Sequence, residues 1–493
     1  MKKNFIKITA FLLATALTFL CAVQVLDFKY MDSIFKVDSF YELEDNTVDV
    51  LIIGSSHAYQ GINTAVLWEE YGYSAFALCG AAQPVWNTYY YLEEALKTQT
   101  PKVIIFDTYY VHMSDDYTEP STAIKNTYGL KWSETKKAAI EVSFDPEISG
   151  NQYFYSILQY HTRYSDLSKT DFYPYQDNKA MYENHKGFYC YFRSENVKEN
   201  NLTGVDYYSD FTEKVDFYYR KIFELAKSKN IPIIATAIPF NAENFHQGFF
   251  RTAEFIAEYE YGSPFLNFVT EYKAALGLDY KTDFADSQHL NFKGNTKLTR
   301  FMGDYIKTHY DVPDRRNDTK YESWEKDAEV YYKQLENYEV TQINKLSEYK
   351  AVFKNDRYKI VMTSCYKDPE DIDPAAVSNM IRFCRDIGIP EEEYLSGGMW
   401  VFEGGKETYY NNCADENFRK MVSFDRYNAI EIRNIEKEYN DKTGEMFFAT
   451  SIMSNKSDIT KCNFGLNIYV YDTFTKTRID LLALNYKDNS IKR

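Results

Sequence analysis

Between residues 48 and 106 the chain alternates short apolar runs with stretches of helical spacing, and this alternation limits the fold more than any other feature. Val48–Ile53 is a compact apolar run closed by Gly54, as expected of a strand buried on both faces of a parallel sheet. Asn63 is placed to cap a helix over Thr64–Tyr71, which Gly72 ends. Ser74–Cys79 reads as a second strand, stopped by Gly80. Val85–Lys97 carries Trp86, Tyr89, Tyr90, Leu92 and Leu96 at helical spacing, and Pro101 precedes a third strand, Val103–Phe106. The order β-α-β-α-β predicts an α/β domain with a doubly wound, mostly parallel sheet in a three-layer, flavodoxin-like arrangement.

Residues 113–211 break the pattern; they are Tyr-rich and polar, and read as an insertion over the active-site end of the sheet. A helix over Phe211–Ser228 and a strand over Pro232–Ala237 resume it. A second insertion at about 240–264 carries His246 and Arg251, either of which is a candidate substrate contact or plain loop polarity. The unit returns at Phe265–Leu276 and closes with a helix over Gly294–Thr308. This gives a catalytic-type domain over 28–312, a helical linker over 313–354 and a smaller C-terminal α+β domain over 355–493. In the last, Tyr358–Thr363, Met399–Glu403, Ala429–Arg433, Glu445–Thr450 and Leu466–Tyr471 read as strands and Pro374–Ile387 as a helix.

The N-terminus sets the compartment. Lys2, Lys3 and Lys7 precede an uncharged apolar run, Ile8–Leu26, long enough to cross a bilayer as a helix. With the basic flank first, the tail is expected in the cytoplasm and the rest outside. Ala14-Thr15-Ala16 has the form of a signal-peptidase site but lies in mid-run, so an uncleaved anchor over residues 1–27 is favoured over a removed signal. Bulky Phe19 and Leu20 before Cys21 argue against a lipoprotein. The formal charge of -16 argues against a nucleic-acid partner, which needs basic patches. Seven scattered cysteines show no C-x-x-C pair and no zinc spacing with His, so neither a metal nor another cofactor is expected. Cys365–Cys384 and Cys413–Cys462 remain open as disulfides. The 46 tyrosines suit sugar binding, and Tyr153, Tyr155, Tyr160, Tyr173 and Tyr175 are candidates to line a glycan groove. A genomic base composition favouring Tyr, Lys, Asn, Phe and Ile together is the favoured account of the count.

Two short motifs carry chemistry. Gly54-Ser55-Ser56-His57 follows the first strand, at the sheet edge where open α/β sheets bind ligands. A serine there is a nucleophile if a base takes its proton. Far along the chain, Asp286-Ser287-Gln288-His289 precedes the last helix of the unit. Asp and His at this spacing can share a hydrogen bond that fixes the imidazole tautomer, leaving His289 as general base. Each motif alone is also an ordinary turn.

Together, in this order and placement, they resemble the SGNH (GDSL-like) hydrolase and acyltransferase superfamily over about 48–110 and 215–310. The resemblance implies Ser56 as nucleophile, Asp286 and His289 as its partners, and Gly80 as an oxyanion donor through its N–H. It departs from the family where Gly-x-Asn-Asp is usual. Phe106-Asp107-Thr108-Tyr109 stands there, without the Asn that would donate to the oxyanion. Gln83 and Asn87 carry amides able to substitute. His57 is read as bonding the turn, with acyl or sugar binding as its other role.

The chain is most similar to the membrane-anchored branch that works with membrane-bound O-acyltransferases, such as the partner proteins of alginate acetylation and teichoic acid D-alanylation. That likeness implies acyl transfer to an envelope or secreted polysaccharide, with a glycan substrate and a membrane-bound O-acyltransferase partner. A carbohydrate esterase and a non-catalytic glycan-binding scaffold are the alternatives. Gly397–Val401 and Asn467–Asp472 faintly resemble small interleukin-like domains found beside glycan-modifying modules.

Overall fold

A computed structural model describes residues 2–27, 29, 34–147, 156–181, 185–365, 373–440 and 444–493. The chain divides into two compact units, Met1–Tyr331 and Tyr332–Arg493.

The first unit is built on a five-stranded, all-parallel sheet: β1 (Val50–Gly54), β2 (Ala75–Cys79), β3 (Val103–Asp107), β4 (Ile233–Ala237) and β5 (Phe265–Asn267). Every residue of these strands is buried, because helices cover both faces. The strand order is β2-β1-β3-β4-β5, so successive connections run to opposite sides of β1. That reversal opens a crevice at the carboxyl ends of β1 and β3, the usual ligand position in such sheets. The helices follow from their sequences. Asn63 Oδ1 accepts the Ala65 and Val66 N–H groups at the start of Thr64–Tyr71, and Gly72 ends it in a left-handed conformation. Glu213–Ser228 buries Val215, Tyr219, Ile222, Phe223 and Ala226, one face at helical spacing.

Residues 240–264 are not a loop. Helix Asn244–Phe255, continued over Ile256–Glu260, is the crossover between parallel strands β4 and β5. The long 113–211 segment contains helices Pro120–Thr127, Glu134–Ser143, Ser156–Tyr160 and Tyr175–Met181, whose short, polar faces gave no clear period. Lys2–Leu26 is one helix, and its Asn4–Leu26 portion is long and apolar enough to span a membrane. None of the seven cysteines forms a disulfide.

The second unit is richer in strands than its sequence suggested. A six-stranded antiparallel sheet has the order β15-β14-β13-β6-β7-β8, with β6 Tyr358–Cys365, β7 Gly398–Glu403, β8 Lys406–Asn411, β13 Gly465–Asp472, β14 Thr477–Asn485 and β15 Ile491–Lys492. A second sheet, β12-β11-β10-β9, comprises β9 Arg419–Ser423, β10 Ala429–Asn440, β11 Glu445–Ser454 and β12 Ser457–Asp458. Side chains alternate across the larger sheet. Ile360, Met362, Trp400 and Ile468 pack with helix Pro374–Asp386 residues Met380 and Phe383, whereas Val361, Met399, Val401 and Tyr469 meet Ile430, Ile432 and Ile452 of the smaller sheet. Strands β8 and β9 escaped the sequence reading because they are mostly exposed and lack an apolar alternation.

Candidate active site

The turn after β1 is shaped by one glycine. Gly54 has φ +138°, and a Cβ there would lie 2.6 Å from Asp107 Cβ. Only glycine lets the ends of β1 and β3 approach this closely. Ser55 then caps the short helix Ser56–Gly61, its hydroxyl accepting the His57 N–H. The same hydroxyl donates to Asp107 Oδ2 at 2.7 Å, and the Ser55 N–H donates to that oxygen at 3.2 Å. Asp107 Oδ1 accepts the Tyr109 N–H. Burial pushes the Asp107 carboxyl up to about 6, against the pull of these three bonds. The residue that replaces the expected Asn motif therefore ties down the serine turn instead of serving as an amide donor.

Ser55 points into the protein, so Ser56 is left at the crevice. On the other side, the loop Phe284–Leu290 is closed by a bridge between its ends and by Ala285 N–H donating to His289 O. Asn291 caps the following helix, Phe292–His309. Within the loop, Asp286 Oδ1 accepts the backbone N–H groups of Gln288 and His289. His289 Nδ1 lies 2.9 Å from Asp286 Oδ1, and His289 Nε2 lies 2.9 Å from Ser56 Oγ. Burial works to raise the Asp286 carboxyl, but the bonds from His289 and Gln288 outweigh it and hold it at about 2. An ionised Asp286 requires the proton on Nδ1, so Nε2 presents a lone pair to Ser56. The structure thus brings Ser56, His289 and Asp286 into one hydrogen-bonded line.

The other candidates fall differently. Gly80 N–H donates to Gly54 O at 3.3 Å, so it extends the β1–β2 ladder. Gln83 Nε2 donates to Thr88 Oγ1, and Asn87 Nδ2 donates to Ser143 Oγ in the inserted helix. Each amide thereby gives one of its two N–H bonds to structure. A side chain at Gly80 would have to displace Asn126 Oδ1 and Gln83 Oε1. Ser56, Ala81 and Ala82 offer backbone N–H groups with no acceptor among the described residues.

His57 stacks on Tyr109, ring centroids 3.7 Å apart, with its Nδ1 3.4 Å from Ser55 Oγ. Its Nε2 is buried and has no hydrogen-bond partner among the described residues. Burial, then the neighbouring His289 and His112, push its pKa well below the ordinary value, so the ring is neutral. His246 belongs to the same aromatic wall, within ring contact of Tyr109, His112 and Phe240. Arg251 turns away, donating to Val205 O. Tyr160 and Tyr175 pack beside Tyr128 and Phe35, near the N-terminal helix end. Tyr153 and Tyr155 lie outside the described residues.

Two residues at the site had no sequence signal. Arg193, in the irregular 113–211 segment, reaches Asp286 Oδ2 at 3.4 Å and donates to Ala285 O, with its guanidinium over Tyr191. Tyr109 donates to Gln288 Oε1 at 3.0 Å, strapping the β3 end to the His289 loop. Fold and site together define the class: a doubly wound α/β unit whose β1 turn and closing loop assemble a Ser–His–Asp set. No family model and no curated protein matches the chain.

Proposed function

We propose that this chain is an extracytoplasmic serine acyl-ester enzyme of the SGNH type, held at the membrane by its N-terminal helix. In this reading it transfers an acyl group to a polysaccharide hydroxyl. The observation that carries the proposal is the continuous contact from Ser56 Oγ through His289 to Asp286. Ser56 attacks the ester carbonyl while His289 Nε2 takes its proton. The resulting imidazolium is stabilised by Asp286, and it then protonates the leaving alcohol. The Ser56 N–H, at the start of a short helix and without an acceptor among the described residues, is available to share the negative charge that forms on the carbonyl oxygen. A second alcohol then attacks the acyl-Ser56 ester, giving up its proton to His289, which passes it to the departing Ser56 Oγ as the new ester forms and the serine is regenerated.

Hydrolysis is the second reading, supported by the solvent access of His289 and Asp286, whose side chains are both partly exposed. Water would then replace the acceptor in the last step. Purified full-length protein should turn over a nitrophenyl acetate reporter and take up a serine-reactive fluorophosphonate at Ser56. Ser56→Ala should abolish both while leaving the circular dichroism spectrum unchanged. Full turnover in that variant, or labelling at Ser55 alone, would refute the assignment. Adding oligosaccharide acceptors and measuring acylated sugar against free acetate separates transfer from hydrolysis.

A further inference from the structure

The 113–211 insertion does more than border the active site; part of it embraces the end of the apolar N-terminal helix. Arg163 Nη1 donates to Leu26 O at 2.8 Å and Asp27 O at 2.6 Å, capping carbonyls that a helix end otherwise leaves unpaired. Its other terminal nitrogen is paired with Asp171 Oδ1 at 2.7 Å, and Lys29 Nζ donates to Asp171 O. Tyr128 donates to Asp27. The helix exit is therefore clasped by residues 128, 163 and 171.

Around this clasp, large apolar side chains face outward. Leu158 is 49% exposed, Tyr164 73% and Phe172 65%. Each lies within a few residues of Arg163 or Asp171, in segments that pack against the apolar helix. Exposed apolar clusters of this kind mark interaction surfaces. Tyr and other aromatic side chains are favoured where a membrane meets water. Between the helix and the insertion lies a cavity of about 560 Å3. Phe19, Leu20, Val23 and Ile157 form its apolar side, and Lys29 and Lys136 stand at its polar side together with Asp27 and Asp38. Lys136 donates to Tyr128 O and Leu130 O, neither of them charged. Burial pushes its pKa down to about 8, with only Asp27 opposing, and burial lowers Lys29 too. Part-buried Lys136 and Lys29, flanked by Asp27 and Asp38, stand next to an apolar trough and offer N–H donors to a phosphate that carries acyl chains.

We propose that residues 156–181 form a collar resting on the outer membrane-water interface, with Leu158, Tyr164 and Phe172 in the lipid. The cavity at Lys29 and Lys136 takes the phosphate of an anionic phospholipid whose chains lie along Phe19, Leu20 and Val23. The inference rests on the apolar helix remaining in the bilayer, and it is independent of the chemistry at Ser56. The collar would fix the α/β unit against the bilayer instead of leaving it on a free tether.

The test uses the full chain in nanodiscs of phosphatidylcholine and phosphatidylglycerol, with brominated lipids as tryptophan quenchers. Trp68, Trp86, Trp324 and Trp400 are buried, and Trp132 is exposed, so Trp132→Phe gives a quiet background. Tyr164→Trp and Phe172→Trp are expected to be quenched several-fold more than Tyr259→Trp, a 79% exposed control on the β4–β5 crossover. Equal quenching at all three positions overturns the collar. For the headgroup, phosphatidylglycerol retained by the detergent-purified chain is measured by native mass spectrometry. Lys29→Gln and Lys136→Gln are each expected to lower retention about tenfold, and millimolar inorganic phosphate is expected not to displace the lipid. Unchanged retention in both variants, or displacement by inorganic phosphate, overturns the phospholipid assignment. Ester turnover should persist in all of these variants, so a failure here is distinct from a failure of the serine mechanism.

Discussion

Asp107 lies beneath the turn that carries Ser56, and its ionisation should be visible as a pH-dependent load on the α/β unit. The carboxyl is buried and accepts only the Ser55 N–H, the Ser55 hydroxyl and the Tyr109 N–H, with burial holding its pKa near 6 instead of the usual 3.8. An acid whose pKa is raised by folding contributes nothing adverse below 3.8, where it is protonated in both states. It destabilises progressively as pH rises through 6, where the unfolded chain releases the proton more readily. That displacement is worth about 3 kcal/mol. Asp107→Asn removes the titration while keeping the shape. It places an amide N–H₂ toward the Tyr109 N–H, at a pH-independent cost of about 1–3 kcal/mol. Urea midpoints are followed by fluorescence in a Trp400→Phe background, so that the reporters belong to residues 1–331. Parent minus variant stability should fall by about 3 kcal/mol between about pH 3 and 7, about 2 kcal/mol of it between about pH 4 and 6, and stay level above, the other carboxylates cancelling. A difference that is flat across that window would refute the assignment of a buried, ionisable Asp107 to the serine turn.

Asp286→Asn should lower kcat for ester turnover by about 10⁴ with little change in KM, because an amide at that position selects the His289 tautomer that cannot accept from Ser56. Asn87→Ala should lower stability by about 1–3 kcal/mol, since the Ser143 hydroxyl keeps its bond to Ala139 O but loses the one it accepts, and leave kcat unchanged. A loss of 10²–10³ in kcat would instead make Asn87 an oxyanion donor. Gly54→Ala should lower both the urea midpoint and kcat, since a Cβ 2.6 Å from Asp107 forces β1 and β3 apart under the Ser56 turn, with backbone strain of about 1–3 kcal/mol added at φ +138°.

Much of this arrangement was legible in the chain. Helix Thr64–Tyr71 coincides with its capping signals, Asn63 and Gly72, because capping is a local interaction that sequence records directly. Four of the five parallel strands announced themselves as short apolar runs, since strands buried on both faces have no polar positions to spare, whereas three-residue β5 was legible only as the return of the unit at Phe265. The motifs that hold Ser56, Asp286 and His289 are equally local: a glycine turn and an Asp turn into a capped helix. The second unit was less legible. Exposed strands such as β8 and β9 gain their order from neighbours across the sheet, which no window of sequence contains.

What the sequence determined alone was the alternating α/β pattern, the apolar helix at the start and the residue types of the site. Only the tertiary structure decided who meets whom. Gly80, Gln83 and Asn87 all carry donors suited to an oxyanion. One donor hydrogen of each goes to Gly54, Thr88 or Ser143, and Gly54 and Ser143 become neighbours only when distant segments pack. Arg193 and Tyr109 reach the Asp286–His289 loop for the same reason. Hydrogen-bond capacity is a property of the residue, but its use depends on which competing partner burial brings within about 3 Å.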